Sequence, residues 1–319
     1  MLDFDYHLFV LSLCNNVGKV ALSSAKQYMD RYEVDFPNEQ AYVQLISQLK
    51  SENGRIKSIT RADIQKALDL SDKILDRSEA AGIHLIQKQN AYYPPQLRKI
   101  PDSPEFLYAR GNLDALLGNH MAIVGSRSPS EFGLKVGERL IGKYLLQAYD
   151  YTIVSGLAKG CDAMAHRMAL SYGTPTVAVL PTDLLNVYPS EHAPLAQKIA
   201  REGGCLLSEY PLGTVPQKQY FKERDRIQAG MSNGVIVIET ELQSGTMHTA
   251  QYAQEFAKPR ACIFAHDHPN YLTKGYQLLP TFQGNKFLVE DKHWFPLRNA
   301  EDIQKFHQQV DRSSHQQRI

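Results

Sequence analysis

Three short apolar runs in this chain each end in a glycine–serine turn and then pass into a helical pattern. No other feature limits the possible folds as much. The turns are Gly125-Ser126-Arg127 after MAIV, Ser155-Gly156-Leu157 after YTIV, and Ser244-Gly245-Thr246 just beyond VIVIET. A strand that turns in this way into a helix aims backbone N–H groups and the positive helix end at one spot, which is a ready phosphate site. Three such turns in one domain point to a pocket for a polyanion, and Arg127 places a cation in it.

The turns belong to a longer alternation of strand and helix. Candidate strands are Ala122–Val124, Thr152–Ser155, Thr176–Leu180, Cys205–Ser208, Val235–Glu239 and Arg260–Phe264. Continuous β-branched apolar runs fit strands buried on both faces of a parallel sheet. Helical patterns follow most of them. The expected fold is therefore α/β: an extended Rossmann-like, doubly wound, mostly parallel sheet over residues 113–290. Ligands of such sheets collect beyond the carboxyl ends of the strands, where all three turns fall.

Residues 1–80 read as a small helical N-terminal domain, with apolar positions at helical spacing in Leu8, Leu11 and Leu13 and again in Tyr42, Leu45, Ile46 and Leu49. Asn53-Gly54 breaks the pattern, and Ser71 is placed to cap a last helix through Arg77. Leu11 to Tyr28 has the outline of a degenerate helix–hairpin–helix with Gly18 in its turn; a helical cap without nucleic-acid contact fits the same residues. Residues 81–112 are proline-rich but apolar, a connector packed on the main domain that holds the strand-like GIHLI and PEFLYARG. Residues 291–319 read as a short C-terminal tail, polar and frayed after Phe306.

Composition narrows the partners. The chain has 319 residues, 43% hydrophobic and 22% charged, with a net charge of +1. No global field advertises a nucleic acid, so any such site is local. The cysteines, Cys14, Cys161, Cys205 and Cys262, show no CxxC pairing and fit free, buried thiols in a reducing cytosol. No apolar run approaches the ~18 residues of a membrane span, and the expected compartment is the cytoplasm.

Several motifs carry chemistry. In Gly125-Ser126-Arg127-Ser128, arginine occupies the position where a dinucleotide fingerprint needs its second glycine, and no acid ends the second strand to hold a ribose. A nicotinamide or flavin cofactor is not expected, and no cofactor is assigned. Arg127 between two serines suits bidentate contact with a phosphate. In SGLAKGCDAMAH, Asp162 and His166 lie one helical turn apart, as a catalytic pair or as a local brace, with the brace favoured; Lys159 stands at the pocket mouth. Ser244, Gly245 and Thr246 would cap the following helix. His266-Asp267-His268 lacks helical spacing and is not read as a metal site. Finally, Gln217 to Arg226 (QKQYFKERDR) packs four cations and two aromatics into ten residues, the mixture that single-stranded nucleic acid needs for charge and stacking. A solvated helix start, its cations neutralised by Glu223 and Asp225, is the competing reading.

Together these motifs resemble the DprA/Smf family (DNA-processing protein A). The residues that carry the resemblance are, in order, YYPPQLRKIPDSPEFLYARG, AIVGSR…FG, IVSGLAKGCDAMAHRMAL, TVAVL…YP, LLSEYPLGTVP, FKERDRIQAGMS, VIVIET and SGTMHTAQYAQEFAKP, from about Gly82 to Gly284. The resemblance implies a homodimeric protein without established catalytic activity that binds single-stranded DNA and loads a RecA-type recombinase. It also implies phosphate contacts at Arg127 and Lys218, a base contact at Phe221, and a place for Arg224 and Arg226 in the same element. The chain departs from the family pattern at Lys222, where proline is usual, at Asp225, where asparagine is usual, and at Pro181-Thr182-Asp183, which replaces a glycine pair. Too few residues follow Glu290 for a winged helix.

Two rivals remain open on the sequence alone. LOG-type phosphoribohydrolases use a similar pocket, and Glu209, Glu239 or Glu241 would then serve as acid or base. A sensor that binds a small nucleotide without turnover is the other.

Overall fold

The computed structural model describes residues 4–264, 266–267 and 269–316. The chain divides into two compact units, residues 1–90 and 91–319. In the first, four helices precede one strand: α1 (Tyr6–Ser12), α2 (Lys19–Arg31), α3 (Glu39–Glu52), α4 (Arg61–Ala80) and β1 (Ile83–Gln87). The apolar positions at helical spacing make its core, with Leu8, Leu11, Tyr42, Leu45, Ile46 and Leu49 all buried. Side chains fix the helix starts, because the first N–H groups of a helix have no partner within it. The Asp5 carboxylate accepts from the Leu8 N–H, and Thr60 and Asp63 form a reciprocal capping box on α4. Ser71 is not a cap. It lies inside α4, fully buried, and its hydroxyl donates to the Leu68 carbonyl at 2.8 Å.

The second unit begins with a 3₁₀ turn at Leu97–Lys99, then runs through β2 (Phe106–Gly111), β3 (His120–Val124), α5 (Glu131–Gly137), a π-helical continuation (Glu138–Leu146), β4 (Thr152–Ser155) and α6 (Cys161–Ser171). It continues with β5 (Thr176–Leu180), α7 (Ala193–Arg201), β6 (Cys205–Ser208), α8 (Lys218–Met231), β7 (Gly234–Val237), α9 (Thr246–Glu255) and β8 (Arg260–Ile263). It closes with α10 (Pro269–Leu272), α11 (Pro280–Glu290), β9 (Phe295–Leu297) and α12 (Ala300–Gln316).

Within this unit the strands form one sheet in the order β2-β6-β5-β4-β3-β7-β8-β9. β2 is antiparallel to β6, and the other pairs are parallel. The expected α/β, doubly wound fold is what forms, and each candidate strand of residues 113–290 is present within a few residues. β3 starts at His120, two residues before the candidate strand Ala122–Val124, because His120 is itself buried and pairs with Thr152 on β4.

One face of the sheet carries α5 with its π-helical continuation, α6 and α12. They close over Met121, Ile123, Ile153, Ile236 and Ile263. α8 and α9 pack together on the other face. Alternation along β3 explains the split: Met121 and Ile123 point one way, Ala122 and Val124 the other. The segment expected to fray after Phe306 is helical as far as Gln316, the end of α12. Ile303, Phe306 and Val310, at helical spacing, are at most 1% exposed and complete the core beneath α12. The four cysteines are free and buried.

Candidate functional site

The strand order reverses beside β3. β4, β5 and β6 follow in one direction, and β7 and β8 extend the sheet in the other. The loops leaving β3 and β7 must diverge there and leave a crevice. A cleft of about 820 Å³ occupies it, lined by Gly125 to Ser128 after β3, by Glu241 and Ser244 to Thr246 after β7, and by the first turns of α8.

A brace of buried polar groups holds the β3 loop in shape. The Ser126 N–H donates to the Glu239 carbonyl at 2.7 Å. The Glu239 carboxylate, fully buried, accepts from the Ser130 N–H at 3.1 Å and from its hydroxyl at 2.8 Å. Ser130 in turn caps α5. Close packing requires glycine at position 125, where a Cβ would approach the Cys161 Sγ to 2.6 Å. Gly160 has φ +71°, in the left-handed region that favours glycine, and a Cβ there would collide with the Ser126 carbonyl oxygen.

The second turn stands behind the first. Ser155 is interior and donates to the Ile123 carbonyl at 2.6 Å, so it does not reach the cleft. Gly156 faces a smaller adjoining cavity of about 80 Å³, shared with Lys159, Tyr188 and Phe221. Lys159 is at that mouth, in an exposed pair with Glu191 at 2.9 Å. Asp162 accepts from the N–H groups of Gly156 (3.2 Å) and Ala158 (3.3 Å), which fixes the β4–α6 loop. His166 bonds the Thr176 hydroxyl at 2.7 Å, and burial drops its pKa to about 3. The two residues brace separate parts of the fold and do not form a catalytic pair.

At the third turn, Gly245 is the N-cap of α9 and makes no side-chain cap bond. Ser244 bonds the Thr240 hydroxyl at 2.6 Å instead of capping the helix. Gly245 and Thr246 nevertheless line the cleft, at the positive end of α9.

The basic–aromatic element divides in two as it enters α8. Lys218 and Lys222 are exposed, Phe221 is half-buried, and all three line the cleft. The Arg127 guanidinium stands 5.9 Å from the Phe221 ring centre, and Tyr188 meets the same ring edge-on at 5.2 Å. One turn later the cations point inward. Arg224 is 5% exposed, donates to the Val179 carbonyl at 2.7 Å and pairs with Asp225 at 3.2 Å. It forms part of the cleft wall, and a Cβ at Gly156 would overlap its guanidinium. Arg226 is 2% exposed and bridges Glu209 (2.7 Å) and Asp102 (2.8 Å); it is a core strut and does not line the cleft.

Asp225 lines the cleft although it is almost fully buried. Burial raises its pKa to about 7, against the pull of Arg224 and Arg127 and with the push of Asp162. Of the carboxylates considered for acid–base work, Glu239 and Glu209 are engaged in the fold, and Glu241 faces the cleft. Among the described residues no group of three or more His, Cys, Asp and Glu side chains is arranged to hold a metal. Asp267 pairs with Arg298, and His268 lies outside the described residues. Tyr188, exposed at the cleft edge, belongs to the TVAVL…YP motif but was not among the expected site residues; it lines the cleft.

A doubly wound sheet with a cleft at its switch point, lined by Arg127, Lys218, Lys222 and Arg224, places the chain in the Rossmann-like class. The family described as DNA recombination-mediator protein A matches residues 84–306, and the chain belongs to it. Protein Smf of Escherichia coli strain K12 is 39% identical over 201 residues, 62% of this chain and 53% of that protein. The DNA processing protein DprA of Bacillus subtilis strain 168 is 36% identical over 211 residues, 63% of this chain and 70% of that one. The match thus spans about half the length of the Escherichia coli relative. Among solved structures, DNA processing protein A of Streptococcus pneumoniae superposes with a TM-score of 0.73 at 26% identity, covering 96% of this chain and 98% of that one. DNA processing protein A of Helicobacter pylori, described for its single-stranded DNA binding mode, gives 0.60 at 26% identity over 71% of this chain and 96% of that one. Among the described residues no helix is long and apolar enough to cross a membrane.

Proposed function

We propose that the cleft captures single-stranded DNA, without turnover, as a protein that protects such strands and passes them to a RecA-type recombinase. The observation that carries this reading is that Arg127, Lys218, Lys222 and Phe221 line one cleft at the sheet's switch point, with the Arg127 guanidinium 5.9 Å from the Phe221 ring centre. The cations take phosphates, and Phe221, with Tyr188 beside it, offers a face to a base. The binding mode described for the Helicobacter pylori relative supports the same ligand class. The proposed setting is the cytoplasm. The proposed assembly is a homodimer, in which two clefts hold one strand and raise avidity through effective concentration.

The test is a fluorescence-anisotropy titration of a labelled oligothymidylate at several salt concentrations, with wild type, Arg127→Ala and Lys218→Ala. Removing one cation that neutralises a phosphate should reduce the log–log salt slope by about 0.7. Slopes that stay unchanged in both variants, or release of free base from nucleoside monophosphates, would defeat the reading.

A further inference from the structure

Asp225 is out of place for a site that takes an anion. Four cations (Arg127, Lys218, Lys222, Arg224) and three carboxylates (Asp162, Asp225, Glu241) line the cleft, so its walls carry a net charge of only +1 when all are ionised. Asp162 and Asp225 are both buried, at 6% and 8% exposure, but Asp162 is held by the Gly156 and Ala158 N–H groups, whereas Asp225 lies directly against the Arg224 guanidinium at 3.2 Å. We propose that anion capture in the cleft is proton-linked: a protonated Asp225 leaves the cations to the ligand, and an ionised Asp225 competes with it. The proposal rests on the cleft being the DNA site and names how that site is regulated.

The surroundings of Asp225 fit this role. On its own helix it faces Arg224 and the Gln228 amide, which with oxygen and nitrogen exchanged donates to it at 3.3 Å. From α6 it faces the buried Asp162, from the β3 loop Arg127, and from α9 Tyr252. Arg226 next to it in sequence is turned away, held by Glu209 and Asp102. A second carboxylate and a dry setting both favour the neutral acid, whereas the two arginines favour the anion. The balance places half-titration at about 7, inside the range where cells and assays operate. Protonation raises the net charge of the lining from +1 to +2, a large relative change for a site of this size. His248, on α9, also lines the cleft; burial and Lys222 lower its pKa from the ordinary 6.5, away from that of Asp225.

The sign follows from linkage. A ligand that prefers the protonated site takes up a proton as it binds, so its affinity falls as pH rises through the group's pKa. An ionised carboxylate in direct competition for the same cations weakens anion binding by on the order of tenfold. With half-titration at about 7, affinity should then fall roughly fivefold between pH 6 and pH 8, with about half a proton taken up per site at pH 7.5.

The experiment uses the full chain and an oligothymidylate without a terminal phosphate, because a phosphate monoester itself titrates near pH ~6. Affinity is measured by anisotropy from pH 6 to 8.5 at constant ionic strength, for wild type and Asp225→Asn. Proton uptake by the wild type is measured separately, by calorimetry in two buffers of different ionisation enthalpy. The expected result is a roughly fivefold fall for the wild type, a flat and uniformly tight profile for Asp225→Asn, and uptake near half a proton at pH 7.5. Salt-sensitive binding with a flat wild-type profile and no proton uptake would overturn the proposal and leave the DNA reading intact. A variant that keeps the wild-type slope would also overturn it. A wild type that binds at no pH would overturn the DNA reading, and this proposal with it. The uptake measurement needs no variant, so its absence overturns the proposal even if Asp225→Asn folds poorly.

Discussion

Arg226→Met separates the cations that build this site from those that serve it. The substitution keeps most of the aliphatic stem and removes the guanidinium from between Glu209 and Asp102, 2.7 and 2.8 Å away. Breaking a buried pair by deleting one partner costs about 3–5 kcal/mol, mostly from the charge left behind. Here the low end applies. The Asp102 side chain is 45% exposed and stays hydrated, whereas that of Glu209 is 18% exposed and loses its main partner. A cost of about 3 kcal/mol lowers Tm by roughly 6–12 °C in a unit of this size, at 2–4 °C per kcal/mol. Glu209→Gln in the same chain should recover about 1 kcal/mol or more, since it removes the stranded charge. The assay is a thermal melt followed by circular dichroism, paired with the salt slope of oligonucleotide binding measured well below Tm. Arg226→Met should move Tm and leave the slope alone; Lys218→Ala, at an exposed position, should do the reverse. A Tm within 2 °C of wild type (under ~1 kcal/mol), together with a slope reduced as for Lys218→Ala, would refute the assignment and return Arg226 to the ligand.

Two further substitutions test the packing and its titration. Phe306→Ala removes a fully buried ring from α12 and should cost about 3–4 kcal/mol, read as a drop in Tm, with oligonucleotide affinity at low temperature unchanged; a shift under 2 °C would mean that α12 is not part of the core. Lys258, 4% exposed, has its pKa lowered by burial to about 8, so its charged form opposes folding below that pH and the wild type should gain stability as pH rises from 8 toward 10.5. Lys258→Met should therefore be the more stable protein at pH 7, with the advantage shrinking by pH 10; pH–Tm curves that run parallel for the two would contradict this.

The strands were legible because burial on both faces leaves a continuous β-branched run, as in YTIVS and GVIVIE, which few helices would show. α12 was missed for the opposite reason. Its 17 residues are mostly polar, and the signal is confined to Ile303, Phe306 and Val310, a stripe at helical spacing within a Gln- and His-rich segment. Ser71 illustrates a similar ambiguity: a serine is equally consistent with a helix start and with a hydroxyl bonded back to its own helix, and the Thr60–Asp63 pair was the real boundary. Charge was the least readable quantity. The sequence shows QKQYFKERDR as one basic stretch, but the partners of Arg226 are Asp102 and Glu209, 124 and 17 positions away, and no local pattern encodes them.

That division of the basic stretch bears on how a site with so little net charge can hold a polyanion. The start of α8 leaves Lys218, Phe221 and Lys222 available to the cleft, whereas Arg224 is held in the cleft wall by the Val179 carbonyl and Asp225, and Arg226 becomes a strut. Three exposed cations, Arg127 among them, give a salt slope of only about 2 per cleft by the single-strand relation. Such a slope belongs to weak, easily reversed contact, and tight capture from one cleft alone would be surprising. Two clefts on one strand remove the difficulty without a further cation, because the second contact forms at the effective concentration set by the first. In the proposed homodimer, paired clefts would thus compensate for the arginines that the fold itself uses. Wild-type affinity should therefore rise steeply once an oligonucleotide is long enough to reach both.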